Sequence, residues 1–277
     1  LYDKIDITPK TDESLASNAN EEDSFTTFAY NNPRINGDDS GAFIRQTSVK
    51  GYIGSKTQFT LPSNISGDFN ITGSGAVAYI YNGLDYKVDT HPSDYLSMEG
   101  GIQVSQANNN FSSYIRVNGG SLILSDDAAN PPGSIPPRYK AGTAFTSNLR
   151  YEIASGKLKY YSNGTNVNNV VQNLSFTYAR SFTSTQLAEM RAKRVLAIGK
   201  DGYDGTQALG YISLNYAGST LLKTDGSTNV NYSTGLLDSN LYNNKIYGTA
   251  YWPSSAATYS PPVSGDISTQ SQTVDTN

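Results

Sequence analysis

Few residues in this sequence combine type and spacing in a way that could do chemistry. Of six glutamates, Glu13, Glu21 and Glu22 fall in an acidic leading stretch, Glu189 in a helix-like segment, and Glu152 close to Lys159. That leaves Glu99, in "MEGGIQV", at the head of a strand-like run. A carboxyl group there could serve as the acid of a glycan hydrolase, given a second carboxylate about 5 to 9 Å away. Asp85, Asp89 and Asp94 are the nearest acids in sequence, but none has the strand spacing that would hold it rigidly. Glu99 is therefore a catalytic candidate only if the chain is an enzyme, and the leading expectation names no catalytic residue. The single histidine, His91 in "VDTHPSDY", precedes a proline that favours an extended loop. Asp89 and Asp94 could orient its ring as a base, but no Gly-x-Ser-x-Gly elbow accompanies Ser93, and an exposed loop histidine is the expectation. With no cysteine in the chain, thiolate metal sites, disulfides and cysteine nucleophiles are excluded.

Oxygen ligands are more plentiful. "NGDDSG" carries Asp38 and Asp39, "KDGYDGT" carries Asp201 and Asp204, and "KTDGSTN" carries Asp225, each on a glycine-bearing loop. Such loops suit a structural Ca²⁺, although none has Asp-x-Asp-x-Asp-Gly spacing and Asp-Gly is also an ordinary turn pair. No other cofactor is expected. The remaining candidates are aromatic. Tyrosine faces packed on sugar C–H bonds, with Asp or Asn fixing hydroxyls, make a binding surface. Tyr81, Asp85 and Tyr86 in "YIYNGLDY", with Tyr161 and Trp252, are the candidate ligand contacts. Tyrosine also fits half-buried strands, so most of the 21 tyrosines are expected in the core or in cross-strand pairs.

Strands must position these groups. Tyr, Thr, Asn, Ser and Gly are abundant, and only 16% of the 277 residues are charged, a composition that leans to all-β. Runs at 42–53, 57–62, 75–83, 100–106, 112–120, 121–124, 169–180, 194–200, 209–218 and 244–252 read as strands. "PPGSIPP" (131–137) marks a long surface loop. "NLRYEIASGKLKYYSNGTN" (148–166) reads as a hairpin turning at Ser155-Gly156. This register sets Ile153 opposite Leu158, Tyr151 opposite Tyr160 and Glu152 opposite Lys159. In "SFTSTQLAEMRAK", Thr183 and Gln186 have capping-box spacing, which predicts a helix over 184–193 with Arg191, Lys193 and Arg194 at its negative end. About a dozen short strands and one helix call for a two-sheet antiparallel β-sandwich.

The order Tyr-Glu-Ile-x-x-Gly-Lys-Leu-x-Tyr-Tyr-x-Asn-Gly, then a long strand, then "VLAIGKD" and "LGYISL", resembles jelly-roll domains of the concanavalin A-like lectin and glucanase group. The likeness covers about Glu99 to Trp252. It implies a jelly roll that binds or processes glycans. The Glu-x-Asp-x-Glu strand of that group's glycosidases is missing, as is the Gln-x-His strand of lyases with a similar fold.

Together these features set an expectation of a non-catalytic, lectin-like bacterial protein binding polysaccharide or cell-envelope glycan as a monomer. A glycan hydrolase or lyase, or a structural or adhesive surface protein, stand as alternatives. A formal net charge of -4 without a basic domain argues against nucleic acid as a partner. No apolar run is long enough to cross a bilayer as a helix, so no membrane insertion is expected. Low charge and abundant Asn, Thr and Ser suggest an extracellular location. The start at Leu1, without methionine or an apolar signal core, suggests a targeting segment already removed. Residues 1–24, with seven acids against two lysines, read as an acidic arm, 25–252 as the sandwich, and 253–277 as a Ser/Thr/Pro-rich arm packed on or trailing from it.

Overall fold

The computed structural model describes residues 41–87, 93–106, 109–118, 137–200, 208–238, 245–246, 257–259 and 265–277. Strands run in chain order as Gly41–Thr47 (β1), Tyr52–Thr60 (β2), Phe69–Ile71 (β3), Val77–Tyr86 (β4), Leu96–Ser105 (β5), Asn110–Val117 (β6), Tyr139–Lys140 (β7) and Ala144–Glu152 (β8). They continue as Lys157–Thr165 (β9), Val171–Tyr178 (β10), Arg191–Gly199 (β11), Gly210–Lys223 (β12), Asn229–Asn231 (β13), Lys245–Ile246 (β14), Ala257–Tyr259 (β15) and Ser271–Asp275 (β16). The first sheet is ordered β14-β1-β11-β4-β5-β6-β7, and the second β10-β9-β8-β2-β12-β16-β15, with β3 and β13 also on β12. Every described pairing is antiparallel. The expected all-β antiparallel sandwich is the fold found. The chain's last strand, β16, lies inside the second sheet.

The two sheets differ in what they show to water. In β8, buried and half-exposed residues alternate, the mark of a sheet with one face on the core and one in solvent. In β4 all ten residues are buried, as are eight of nine in β11. The central strands of the first sheet are therefore covered on both faces. Between the sheets lie Ile44, Ile80, Leu84, Met98, Ile102, Ile115, Leu149, Leu158, Tyr160, Phe176 and Leu196. Tyr160 lies across Gly100 of the facing sheet, where an added Cβ would fall 2.6 Å from the ring. A polar seam crosses this core. Arg194, fully buried, donates from Nε to Gln46 Oε1 (2.6 Å), from Nη1 to Ser219 Oγ (2.6 Å) and from Nη2 to the Ile267 carbonyl (2.7 Å). Tyr216 and Tyr232 cover its guanidinium at 4.2 and 4.7 Å.

Three local expectations are corrected. The hairpin pairs Tyr151 with Leu158 and Leu149 with Tyr160, two residues away from the expected register. A four-residue loop, closed by Gly156 N–H donating to the Glu152 carbonyl at 2.9 Å, replaces the two-residue turn and leaves Ile153 47% exposed. An even shift preserves the faces, so Leu149, Tyr151, Leu158 and Tyr160 are all buried as expected. The helix, α1, spans only Ser184–Ala188; its capping box forms as expected between Thr183 and Gln186. Arg191, Lys193 and Arg194 belong instead to β11, because ladder bonds on both sides, to β1 and β4, outweigh helix propensity there. Residues 42–53 are likewise not one strand but the end of β1, a break, and the start of β2. The proline-rich loop and the 121–124 strand lie outside the described residues, except for Pro137.

Candidate functional site

The face of the first sheet turned away from the core gathers acids, bases and hydroxyls from five strands. Strand pairing lays it out in rows. One row reads Thr47, Lys193, Gly83, Glu99, Arg116 across β1, β11, β4, β5 and β6. The next reads Arg45, Val195, Tyr81, Gly101, Tyr114, and on the other side Asp85 stands opposite Ser97. Glu99 thus sits near the middle of the sheet, with Arg116 directly across on β6. Asp85 is its diagonal neighbour on β4, a spacing of about 7–8 Å between such positions.

Gly83 shapes this row. A Cβ on it would lie 2.3 Å from Lys193 Cε, so only glycine lets the lysine chain cross β4. Lys193 Nζ then donates to Asp85 Oδ1 at 2.7 Å and Oδ2 at 2.9 Å, and Ser97 Oγ donates to Oδ1 at 3.1 Å. The pair is deeply buried, with Lys193 1% exposed and Asp85 7%. On the same face, beginning one row away, runs an apolar cluster of Phe43, Val77, Tyr79, Tyr81, Tyr114, Val195 and Ala197, with Tyr79 and Tyr114 edge to face at 5.8 Å. Burial first, and then the Glu99 carboxylate, push the Tyr81 and Tyr114 hydroxyls well above the ordinary tyrosine pKa. Both therefore stay protonated and can donate to an anionic oxygen. Chemically, the face offers a carboxylate for proton transfer, with hydroxyls and a guanidinium nearby to steady developing negative charge.

The structure brings only some of the sequence candidates together. Tyr81 and Asp85 share this face with Glu99. Tyr86 lies on the other face of β4, in the core, edge to face with Phe182 at 5.7 Å, and its hydroxyl donates to Asp94 Oδ2 at 3.3 Å. Asp94 also pairs with Lys87 at the surface, 3.3 Å away. Tyr161 belongs to the second sheet, half-buried under the Arg150 guanidinium at 5.0 Å, with its hydroxyl on Glu152 Oε1 at 2.6 Å. Asp225 caps its own turn, with Oδ1 accepting from Ser227 N–H (2.8 Å) and Thr228 N–H (2.7 Å). Hydrogen bonds from Thr228 and Ser227 hold its carboxyl at about 2. Among the described residues no three His, Cys, Asp or Glu side chains gather where they could hold a metal ion. Trp252, His91, Asp89, Asp38, Asp39, Asp201 and Asp204 lie outside the described residues. A cleft of about 240 Å³ on the second sheet is lined by Lys56, Arg150, Asn148 and Asn229 among others, with no acid among its lining residues.

Arg116 and Tyr114 were not singled out from the sequence, and Lys193 was read only as a charge at a helix end. The alternation in "RAKRVLAIG" would have put Lys193 on one face with Val195 and Ala197, had the segment been read as a strand from Arg191.

No protein-family model matches this chain, and no curated protein sequence does. Among solved structures, it is similar to a scytalido-glutamic peptidase crystallised with a peptide-based transition-state analogue. The two share 10% identity over 85% of this chain and 97% of the other, at a TM-score of 0.49. The expected non-catalytic, lectin-like surface is corrected here. The rings meant to stack on sugar do not form one surface. Tyr81 and Tyr86 are each 2% exposed, on opposite faces of β4, and Tyr161 is in the other sheet.

Proposed function

We propose that this chain is a hydrolase whose acid–base group is Glu99, working on the outer face of the first sheet by activating water against a carbonyl carbon. The observation that carries the reading is the framing of Glu99 mid-sheet by Arg116 and by two tyrosines, Tyr81 and Tyr114, whose hydroxyls stay protonated. A glycosidase needs a second carboxylate at work beside the first. Among the described residues Asp85 is the acid at such spacing on this face, and Lys193 and Ser97 occupy it. A single working carboxylate suits hydrolysis of an amide or peptide bond better. The reading keeps the chain extracellular. It also places the sandwich among concanavalin A-like jelly rolls, supported by the two antiparallel sheets and by the hairpin of β8 and β9.

A structural or adhesive role is the second reading. It is favoured by one observation: Glu99 is only 1% exposed in this conformation. Incubation of wild type and Glu99→Gln with unfolded protein substrates and with a polysaccharide panel separates the two. Peptide-bond cleavage that disappears in Glu99→Gln is the expected result. Absence of turnover on every substrate leaves the structural role, and turnover unaffected by the substitution removes Glu99 from the chemistry.

A further inference from the structure

The geometry points to an intramolecular amide cross-link between Lys193 Nζ and Asp85 Cγ, formed autocatalytically and clipping β11 to β4. This goes beyond the hydrolase reading, which asks of these two residues only that they stand beside Glu99.

Four features meet at this pair. Lys193 Nζ lies 2.7 and 2.9 Å from the two Asp85 carboxylate oxygens, so nucleophile and electrophilic carbon are already in near-attack proximity. Both groups are buried, with side chains 1% and 10% exposed. The reverse reaction needs water, and this burial, with Val195 and Tyr81 in the adjoining row of the same face, keeps it away. Burying an ion pair is costly, whereas the neutral amide that replaces it carries no net charge to desolvate. Finally, Gly83 stands opposite Lys193 on one side and opposite Glu99 on the other. The lysine chain lies over that glycine, with Glu99 as the carboxylate on the strand beyond it, so Glu99 is the group assigned to carry a proton.

The step balances without a co-reactant. The ammonium gives one proton to Glu99, and the freed lone pair forms the N–C bond at Asp85 Cγ. Ser97 Oγ, 3.1 Å from Oδ1, steadies the tetrahedral oxygen. The other Asp85 oxygen leaves as water, taking one proton back from Glu99 and a second from the nitrogen. Ammonium plus carboxylate becomes amide plus water, with no change in net charge and no electron transfer.

Intact-mass spectrometry of the purified, denatured full chain reads the outcome. The wild type should weigh one water less than its sequence, and a tryptic digest should contain a branched peptide joining the Lys193 and Asp85 segments. Lys193→Arg and Asp85→Ala should each show the full mass, whether or not they fold, because the measurement is made on denatured chains. Glu99→Gln should leave the water in place in most molecules. A wild-type chain at its full sequence mass with no branched peptide overturns the cross-link. A cross-link that forms equally in Glu99→Gln overturns the proton-carrier role given to Glu99. Neither result depends on hydrolase turnover, so failure of that reading leaves this one standing.

Discussion

Tyr160 and Tyr161 are adjacent in β9 and point to opposite sides of the second sheet, which makes them an internal test of the architecture. Tyr160 is fully buried between the sheets, 5.6 Å from the Phe176 ring, over Gly100, with its hydroxyl 3.3 Å from Ser147 Oγ. Truncating a buried aromatic to alanine costs about 3–5 kcal/mol. Ser147 Oγ keeps the bond it accepts from Asn82 Nδ2 at 2.9 Å but loses the acceptor for its own hydroxyl, which adds to the loss. Tyr160→Ala should therefore cost about 4 kcal/mol. Tyr161 is half-buried and gives up chiefly its bond to Glu152 and its contact with Arg150. In a partly solvated setting those are worth about 1–2 kcal/mol. Urea unfolding followed by circular dichroism measures both. With an m-value of about 3 kcal/mol/M, Tyr160→Ala should lower the midpoint by more than about 1 M and Tyr161→Ala by about half that or less. The slope should not change. Equal shifts, or a larger one for Tyr161→Ala, would refute the assignment of faces.

Gly100→Ala should be nearly as damaging as the loss of Tyr160, because its Cβ would stand 2.6 Å from that ring; a thermal midpoint within a degree or two of wild type would show that the sheets can part there without cost. Acid dependence offers a separate check. Burial works against the charged form of Glu152, but hydrogen bonds from Lys159, Tyr161 and Arg150 outweigh it and hold the carboxyl at about 2 rather than 4.5. A lowered folded-state pKa stabilises above the unfolded value, and that stabilisation drains away as pH falls from 4.5 toward 2. Glu152→Gln should therefore be less stable than wild type at pH 6, with the gap closing across that window in a pH series of urea midpoints.

The sequence made the fold class legible because period-two alternation and turn residues carry that information locally. Its limits are equally physical. In β8 and β9 the outer face meets solvent, so charges and tyrosines alternate with apolar residues and the faces could be read correctly. The register could not, since a shift of two leaves that pattern intact and only the loop geometry around Ile153 decides it. Over 184–199, a capping box and three basic residues imitate a helix with a favourable C-terminus. The capping box is real, but pairing with β1 and β4 takes over at Arg191. Glu99 was found because acids are scarce in strands. Its neighbours were missed because they are brought to it from β6 and β11 by long-range pairing, which no local spacing records.

The charged residues of β11 explain why the candidate face lies where it does. Read outward, "RAKR" looks like solvated surface, and basic side chains are rarely fully buried without partners. Here Arg191 reaches Asp238 at 3.0 Å, Lys193 crosses Gly83 to Asp85, and Arg194 turns inward to Gln46, Ser219 and two tyrosine rings. Positions 191 and 193 thus carry charge to one face of the strand and position 194 to the other. Such an arrangement needs cover on both sides, unlike the single-faced alternation of the second sheet. The Arg194 side satisfies itself with neutral acceptors and two tyrosine rings, which ties the two sheets together. The Lys193 side faces a carboxylate at bonding range with another acid across the glycine. Of the two faces, only that one holds both an amine and a carboxyl group in a position to react, and it is there that chemistry is to be sought.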